Sequence, residues 1–395
     1  MSISRKLAAS IRSRRREMLD FTRELVALPT ENPPGSAYPQ CVRLLRKRLR
    51  ELRLPLDSHA PRHCVRATYG SGPRTLYFHG HYDVVPAAAP DQFRPVVRNG
   101  RLFGRGSSDM KSGLASMVSA ILALRDSGVP LDGKIVLTMV ADEETAGPRG
   151  TRALDELGLI DPTAIGMLTA EPTSGVIWNS SRGAVSLRVT VHGRPVHSGL
   201  SHSVRNAFEG MLHVAQGLRA LQKQIAKRRT LFPVRPESAR HSILMLGGRC
   251  EGGTNFNVVP AECSYTVDRR TNPEEDLALE TKRILRVLDG SKRQGVDLDF
   301  EIFQQGEASA TPQDHPLSKA LAESIREATG KAPRFEMCPG LLETRFYARK
   351  GIPALAYGPG LLTVSHGPHE FVPVRNIENC ALAYALTAVR LLGAS

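Results

Sequence analysis

Short apolar runs that alternate with amphipathic segments constrain the fold of the first 180 residues more than any other feature. Three of these runs, Arg74 to Phe78, Lys134 to Val140 and Ile165 to Leu168, predict strands that are buried on both faces. Residues Ser112 to Arg125 have the periodicity of a helix, and Gly128 follows where helices commonly end. This alternation is typical of an α/β domain in which a mostly parallel, mixed sheet lies between helices.

The pattern changes after about Arg182. We predict strand, helix, strand, strand, helix and strand, in that order, at Ala184 to Val191, Val204 to Arg228, Ile243 to Leu246, Cys263 to Arg269, Glu274 to Leu288 and Leu298 to Phe303. This order is typical of a ferredoxin-like α+β unit. A helix at Leu317 to Ala328 then resumes the first pattern. The sequence therefore predicts a discontinuous first domain, residues 1–180 and 308–395, interrupted by an inserted domain at residues 181–307.

The charge of the chain raises the question of a nucleic-acid partner. Its 53 Lys and Arg against 39 Asp and Glu give a formal net charge of +14, and clustered basic residues neutralise phosphates. The excess is mostly arginine spread over segments such as Cys41 to Leu54 and Leu218 to Arg229, without an RNP-like aromatic strand or zinc-finger spacing. We therefore predict no nucleic-acid partner and a basic surface that attracts anionic substrates.

Cysteine spacing and apolar runs bear on cellular location. The six cysteines lie far apart and form no CxxC pair, which is typical of reduced thiols. The N-terminal segment carries Arg14 to Arg16 but lacks the apolar run of a secretion signal. The longest apolar run, Leu114 to Leu124, is too short to cross a bilayer. We expect a cytoplasmic protein without a membrane partner.

The segment TLYFHGHYDVVP, residues 75–86, places His81 and Asp83 two positions apart immediately after a predicted strand. Side chains two apart in an extended chain project to the same side. His81 could ligate a metal ion while Asp83 accepts the second imidazole N–H, as is common around metal sites. A polar turn with an incidental histidine remains the simpler explanation of this motif taken alone.

The segment GRGSSDMKSG, residues 104–113, is rich in glycine and serine and is expected to leave Asp109 exposed between a loop and a helix. A carboxylate in that position can bridge two cations through its two oxygens. Taken alone, Asp109 is explained equally well as the N-cap of the helix.

The segment VADEETAG, residues 140–147, has three consecutive acids, including Glu143 and Glu144, at the end of a predicted buried strand. Carboxylates packed together repel one another unless a cation is present, although a surface acidic cluster is the alternative. Glu171 ends the next strand in the same way, and His366 supplies a second imidazole late in the chain.

Together these motifs fall at the ends of successive strands, where ligands bind to parallel sheets. Five residues offer nitrogen or oxygen donors and no thiolate: His81, Asp109, Glu144, Glu171 and His366. Such donors suit Zn²⁺ in a catalytic rather than a structural site. Glu143 is left as a spare carboxylate, and packing alone does not explain the whole set.

These motifs resemble those of the co-catalytic zinc metallopeptidases that include acetylornithine deacetylase, succinyl-diaminopimelate desuccinylase, aminoacylase and glutamate carboxypeptidase. The resemblance extends from LVALPTENPPG, residues 25–35, to SHGPHEFVPV, residues 365–374. It implies two zinc ions per subunit, with Co²⁺ and Mn²⁺ as alternative ions, in a catalytic domain that carries an inserted dimerisation or lid domain. The implied roles are one zinc on His81, Asp109 and Glu171, the other on Asp109, Glu144 and His366, Glu143 as general base and Asp83 as the orienting acid. A cis peptide bond between Asp109 and Met110 is also implied.

The inserted domain contributes to the same resemblance. HGRPVHSGLSHSVRNA, residues 192–207, resembles the family's dimerisation motif, which implies a homodimer in which His197 reaches the neighbouring active site. TNFNVVP and VDRR resemble segments that place Asn257 and Arg270 on the substrate. The chain departs from the family pattern at three positions, where Pro, Gly and Asp are usual: Ser201, Val204 and Glu343. These departures leave the metal ligands intact and the substrate open.

We therefore expect a zinc-dependent hydrolase of amide bonds in small carboxylate-bearing substrates. The first choice is deacylation of an N-acyl amino acid by a metal-activated water with Glu143 as general base. Arg270 could grip the substrate carboxylate in bidentate fashion. The alternatives are a dipeptidase or carboxypeptidase and a catalytically silent, ligand-binding relative, but a silent relative is expected to have lost the base or a ligand.

Overall fold

The computed structural model describes residues 2–393. Its α-helices are α1 (Ile3–Ser13), α2 (Arg15–Val26), α3 (Tyr38–Glu51), α4 (Lys111–Asp126), α5 (Thr151–Glu156), α6 (Ala207–Ile225), α7 (Leu277–Arg293), α8 (Pro316–Thr329), α9 (Thr344–Ala348) and α10 (Val374–Leu392). Short 3₁₀ helices lie at Pro90–Phe93, Ser198–Ser203 and Glu237–Arg240.

The strands are β1 (Val65–Ser71), β2 (Thr75–His81), β3 (Val96–Arg98), β4 (Arg101–Phe103), β5 (Gly133–Val140), β6 (Gly166–Thr169), β7 (Ile177–Ser181), β8 (Gly183–His192), β9 (Ile243–Gly252), β10 (Glu262–Thr271), β11 (Leu298–Gly306), β12 (Ser309–Ala310), β13 (Phe335–Cys338), β14 (Ala354–Ala356) and β15 (Phe371–Pro373). No helix among residues 2–393 combines the length and apolar character that crossing a bilayer requires.

The chain divides into two compact units. The first contains residues 2–179, 310–335 and 346–393, and the second contains Ser180–Ser309 and Glu336–Arg345. The first unit is thus built from separate stretches of sequence, and the second begins close to the predicted start of the insert. The second unit also takes in residues 336–345, which lie beyond the predicted insert.

The first unit is organised around a mixed sheet in which strands lie in the order β1-β5-β2-β6-β14-β7. Neighbours among β5, β2, β6 and β14 run parallel. At the two sides of this group, β1 pairs antiparallel with β5, and β7 pairs antiparallel with β14. All seven residues of β2 are buried, as expected for a strand with parallel neighbours on both edges and helices on the faces. This sheet confirms the α/β class that the alternating pattern predicted.

Helices cover the sheet of the first unit. Nearly every residue of α4 is buried, and α4 packs against α2, α10 and β2. The helix ends at Asp126, and Gly128 follows with φ of +60°, a conformation that glycine adopts without steric cost. Most of the apolar side chains of this unit belong to one continuous core. This core packs against the parallel strands and supports their carboxyl ends.

The second unit is a four-stranded antiparallel sheet in the order β11-β8-β10-β9. The chain order β8-α6-β9-β10-α7-β11 confirms the predicted ferredoxin-like unit. One face of β8 packs with α6 and α7 in a separate apolar core that includes Val189, Leu218 and Ile284. The sheet and both helices are therefore stabilised together by an apolar core of their own.

Some element bounds in the second unit differ from the prediction. Helix α6 begins at Ala207 rather than Val204, because the Asn206 side chain caps it by accepting the backbone N–H of Phe208. Strand β9 continues to Gly252, six residues past the predicted end at Leu246. Its pairing with β10 shifts register between Tyr265 and Val267, and such an irregularity leaves no alternating apolar pattern for sequence analysis to detect.

Candidate metal centre

Three strand ends of the first unit carry the acidic and histidine residues of the site. His81 is the last residue of β2, Glu143 and Glu144 follow β5, and Glu171 follows β6. Because β5, β2 and β6 are adjacent parallel strands, their carboxyl ends meet at one edge of the sheet. The side chains predicted from separate motifs therefore converge.

Asp109 lies at the centre of this group. Its Oδ1 is 3.3 Å from His81 Nε2, and its Oδ2 is 3.3 Å from His366 Nε2. The two oxygens of one carboxylate thus face two different imidazoles. The N-cap alternative is not realised, because Met110 occupies the N-cap of α4 and no side chain caps the helix there. The Asp109–Met110 peptide bond is cis, as expected.

The remaining predicted ligands surround Asp109. Glu171 Oε2 lies 3.9 Å from His81 Nε2, and Glu144 Oε2 lies 3.3 Å from His366 Nε2. Ligand atoms of His81, Asp109 and Glu144 all lie within 4.8 Å of one another. Asp109 is largely buried, with 12% of its side chain exposed, so the expectation that it is exposed is wrong. The reason is that His81, Glu144 and His366 surround the carboxylate and shield it from solvent.

Glu143 stands beside these residues. Its Oε2 is 4.0 Å from His81 Nε2, farther than either oxygen contact of Asp109. Its backbone N–H donates to Asp83 Oδ1 at 3.3 Å, and that of Glu144 donates to Asp83 Oδ2 at 3.2 Å. The fully buried Asp83 therefore fixes the turn on which both glutamates stand.

Asp83 lies beside the His81 imidazole with both its backbone oxygen and its carboxylate. His81 Nδ1 lies 3.0 Å from the backbone oxygen of Asp83 and 3.4 Å from its Oδ1. The Asp83 carboxylate also accepts the side-chain amide of Asn32 at 2.9 Å. The backbone carbonyl is thus the closer acceptor for the imidazole. The carboxylate links the end of β2 to the backbone of Glu143 and Glu144 and to Asn32 in the N-terminal segment.

Glu370 adjoins the site and was not identified by the sequence analysis. It is buried and accepts the backbone N–H groups of Gly106, Ser108 and Asp109 at 2.9–3.0 Å. Gly106 has φ of +82°, a conformation that favours glycine and lets the loop curl around the carboxylate. The only sequence signal was its place in SHGPHE, four residues after His366.

The carboxylates shift the pKa of both imidazoles. Hydrogen bonds to Asp109 and then Glu144 raise the pKa of His366 to about 10. Burial lowers the pKa of His81, but the carboxylates of Asp109 and Asp83 raise it by a larger amount. The pKa of His81 therefore lies well above its ordinary value. For Glu144, burial raises the pKa more than His366 lowers it. The two histidine shifts reflect an excess of carboxylates around the imidazoles, which a divalent ion would balance.

Two buried atoms indicate where such an ion fits. Within residues 2–393, His81 Nε2 and Asp109 Oδ1 are buried and have no hydrogen-bond partner. Buried polar atoms are normally satisfied, and a metal ligand is a common reason for an exception. The donors are imidazole nitrogens and carboxylate oxygens, which suit a catalytic zinc site. The residues present therefore fit a metal ion.

The other predicted site residues belong to the second unit. His197 is exposed at the start of a 3₁₀ helix, and its Nδ1 accepts the backbone N–H of Gly199. The N–H of Ser198 donates to the backbone oxygen of Asn257 at 2.9 Å, so these two segments pair. Arg270 lies on β10 and donates to Asp268 at 2.9 Å.

A carboxylate that faces two imidazoles at the edge of the sheet, with a further glutamate beside it, is an arrangement that fits the class of metal-dependent hydrolases. The model of peptidase family M20/M25/M40 matches residues 77–390. The chain belongs to this family and is a hydrolase of amide bonds.

Known proteins of this kind are similar along most of the chain. A succinyl-diaminopimelate desuccinylase of Nitrosomonas europaea is 31% identical over 334 residues, 82% of this chain and 85% of the relative. An M20 family metallo-carboxypeptidase of Sulfolobus solfataricus has a similar fold, with a TM-score of 0.79 at 16% identity, over 94% of this chain and 99% of that one. The YXEP protein of Bacillus subtilis, described as a dinuclear metal-binding peptidase, has a TM-score of 0.70 at 16% identity, over 96% of this chain and 99% of that one.

Proposed function

We propose that this chain removes the acyl group from an N-acyl amino acid with the help of two zinc ions. His81, Asp109 and Glu171 would hold one ion, and Asp109, Glu144 and His366 the other. The observation that carries the proposal is the position of Asp109, whose two oxygens each lie 3.3 Å from a different imidazole. The dinuclear metal site named for the similar Bacillus subtilis protein supports it.

The chain's own residues perform the proton transfers. When bound, zinc polarises the amide carbonyl and lowers the pKa of water. Glu143 takes a proton from the attacking water and delivers it to the leaving nitrogen. It is suited to this role because its carboxylate reaches the edge of the site, while Asp83 holds its backbone N–H. Glu144, the next residue, turns its carboxylate toward His366 instead.

The second unit supplies the residues for substrate recognition. Arg270 would bind the substrate carboxylate, with Asn257 beside the substrate and His197 donating a hydrogen bond to the oxyanion. Asp268 already orients the Arg270 guanidinium through its Nε, which leaves the terminal nitrogens to face a carboxylate. The name of the 31% identical relative, a succinyl-diaminopimelate desuccinylase, supports an acylated amino acid as substrate.

A substrate panel tests this proposal. The zinc-loaded protein is assayed with N-acetyl, N-succinyl, N-formyl and N-carbamoyl amino acids and with dipeptides. We expect turnover of at least one acylated amino acid with a free carboxylate. The second candidate, a dipeptidase or carboxypeptidase, is favoured by the similar Sulfolobus fold, and a preference for dipeptides would replace the first proposal with it. Binding without turnover would indicate a silent relative.

The proposal includes a cytoplasmic homodimer in which His197 acts on the partner's site. The cytoplasmic location is supported by the cysteines, which are all free and of which five of six are buried. The homodimer is supported by the exposure of the motif around His197, which is what a docking segment requires. Mixing a Glu143→Gln subunit with a His197→Ala subunit tests the shared site. Each parent is inactive, and a hybrid dimer regains one complete site only if His197 acts in trans. A confirmed hybrid without recovery contradicts the proposal, as does an active monomer.

A further inference from the structure

We propose that the buried ion pair of Arg105 and Glu370 is a positioning device that sets Asp109 and His366 at the distance a second metal ion needs. The inference rests on the proposed two-metal function. It concerns residues that would not themselves touch metal or substrate. Arg105 and Glu370 are 2% and 1% exposed, and their Nη1 and Oε2 atoms are 2.5 Å apart.

Glu370 controls the backbone that carries Asp109. Its Oε2 accepts the N–H of Gly106 at 3.0 Å in addition to the Arg105 guanidinium. Its Oε1 accepts the N–H groups of Ser108 at 2.9 Å and Asp109 at 3.0 Å. Both carboxylate oxygens are therefore used, and the loop cannot slide without breaking hydrogen bonds to a buried charge, which are costly to lose.

Arg105 extends the same device to the loop that carries His366. Its Nη2 donates to the backbone oxygen of His366 at 3.2 Å and to that of Pro86 at 3.4 Å. His366 has φ of +64°, a left-handed conformation that is strained for a non-glycine residue. Gln92 supports the same turn, because its Nε2 donates to the Gly367 oxygen at 3.1 Å. One guanidinium thus links the Asp109 loop to a strained His366 backbone.

The two metal positions depend on this device to different degrees. His81 is the last residue of a strand paired on both sides, and Glu171 follows a strand of the same sheet. His366 lies in the loop between β14 and β15, outside any strand. The position formed by Asp109, Glu144 and His366 should therefore loosen first when the ion pair is weakened.

The test is a zinc titration of metal-free protein against a chromophoric chelator, for wild type, Glu370→Gln and Arg105→Lys. We expect wild type to bind two ions. Each variant should bind one zinc ion with an affinity within about threefold of wild type and bind the other at least tenfold more weakly. A tenfold change is about 1.4 kcal/mol, close to the lower end of the range for a charge-assisted hydrogen bond. Turnover should recover at high zinc with an unchanged KM.

Two further variants separate positioning from general stability. Gln92→Ala should weaken the same zinc affinity by a smaller factor, which keeps the test decisive if the ion-pair variants do not fold. Asp57→Asn removes an ion pair with Arg66 in the same unit and should leave both zinc affinities unchanged. Equal weakening of both affinities, or no weakening in any of the first three variants, overturns the inference. A wild type that binds fewer than two ions overturns the proposed function itself.

Discussion

The metal centre and the predicted substrate residues are held in contrasting ways. In the first unit, His81 and Asp83 are buried and are fixed by strands and by hydrogen bonds from several segments. In the second unit, His197 is exposed on a 3₁₀ turn and Asn257 is half-buried in a loop. The proposed chemistry would therefore rest on the edge of a sheet, while the recognition proposed for His197 and Asn257 would rest on surface segments that tolerate change. This contrast explains why the reaction class is easier to infer than the substrate.

The largest expected effect comes from Glu143→Gln. The variant should lose roughly three or more orders of magnitude in kcat, because general-base transfer contributes about 10²–10⁴-fold and water activation is lost as well. Its zinc content, measured by elemental analysis, should match wild type. The neighbouring Glu144→Gln is the matched control and should lose metal. If the Glu143 variant loses zinc and keeps activity, the roles of the two glutamates are reversed.

A smaller effect on catalysis is expected in the second unit, from Arg270→Met. The variant should lose about 1.5–3 kcal/mol of transition-state stabilisation, or roughly 10- to 150-fold in kcat/KM, as for a charge-assisted hydrogen bond. Substrates with an amidated carboxyl group should be affected much less. Arg188→Met is a matched control. Arg188 pairs with Thr266, which lies four positions before Arg270 on β10, so both arginines project from the same face of the sheet. Equal losses on both substrates would remove the proposed role of Arg270.

The smallest effect concerns stability rather than catalysis. Burial raises the pKa of Glu275, but hydrogen bonds from Ser242, the Asn272 N–H and Arg228 lower it more, so its pKa is depressed in the folded state. Glu275→Gln should cost about 1–1.5 kcal/mol at pH 7, the difference between a charge-assisted and a neutral hydrogen bond. Urea unfolding measures this cost, and zinc binding should not change.

The sign of the pH dependence follows from the depressed pKa of Glu275. Its stabilisation is fully present above the unfolded glutamate pKa, about 4.3, and is lost as the pH falls through the lower folded pKa. The gap in unfolding free energy between wild type and variant should therefore be constant from pH 7 to about 5 and shrink below about 4. A gap that widens on acidification would contradict this assignment.

The sequence predicted those parts of the site that lie next to regular elements. His81, Glu144 and Glu171 could be found because each lies at or just beyond the end of a strand with a clear apolar pattern. Glu370 could not be found in this way, because it accepts the N–H of Asp109 from 261 positions along the chain. Such a contact leaves no local pattern, since it depends on how two distant loops pack.

Secondary structure followed the same rule. The ferredoxin-like order was predictable because strands such as β8 alternate buried and half-buried residues. The end of β9 was not, because its last residues are exposed and include several glycines. The preference of His81 Nδ1 for the Asp83 carbonyl over its carboxylate was equally out of reach, because spacing alone does not distinguish backbone from side-chain oxygens.

Metal removal tests the central claim most directly, namely that amide hydrolysis depends on a metal centre at the edge of the first unit's sheet. The protein is treated with a chelator, dialysed, checked by elemental analysis and assayed for amide hydrolysis before and after zinc is added back. We predict loss of turnover, recovery with two equivalents of zinc, and a nearly unchanged far-UV circular dichroism spectrum, because the sheet has its own core. Full activity in protein shown to contain no metal would contradict the account.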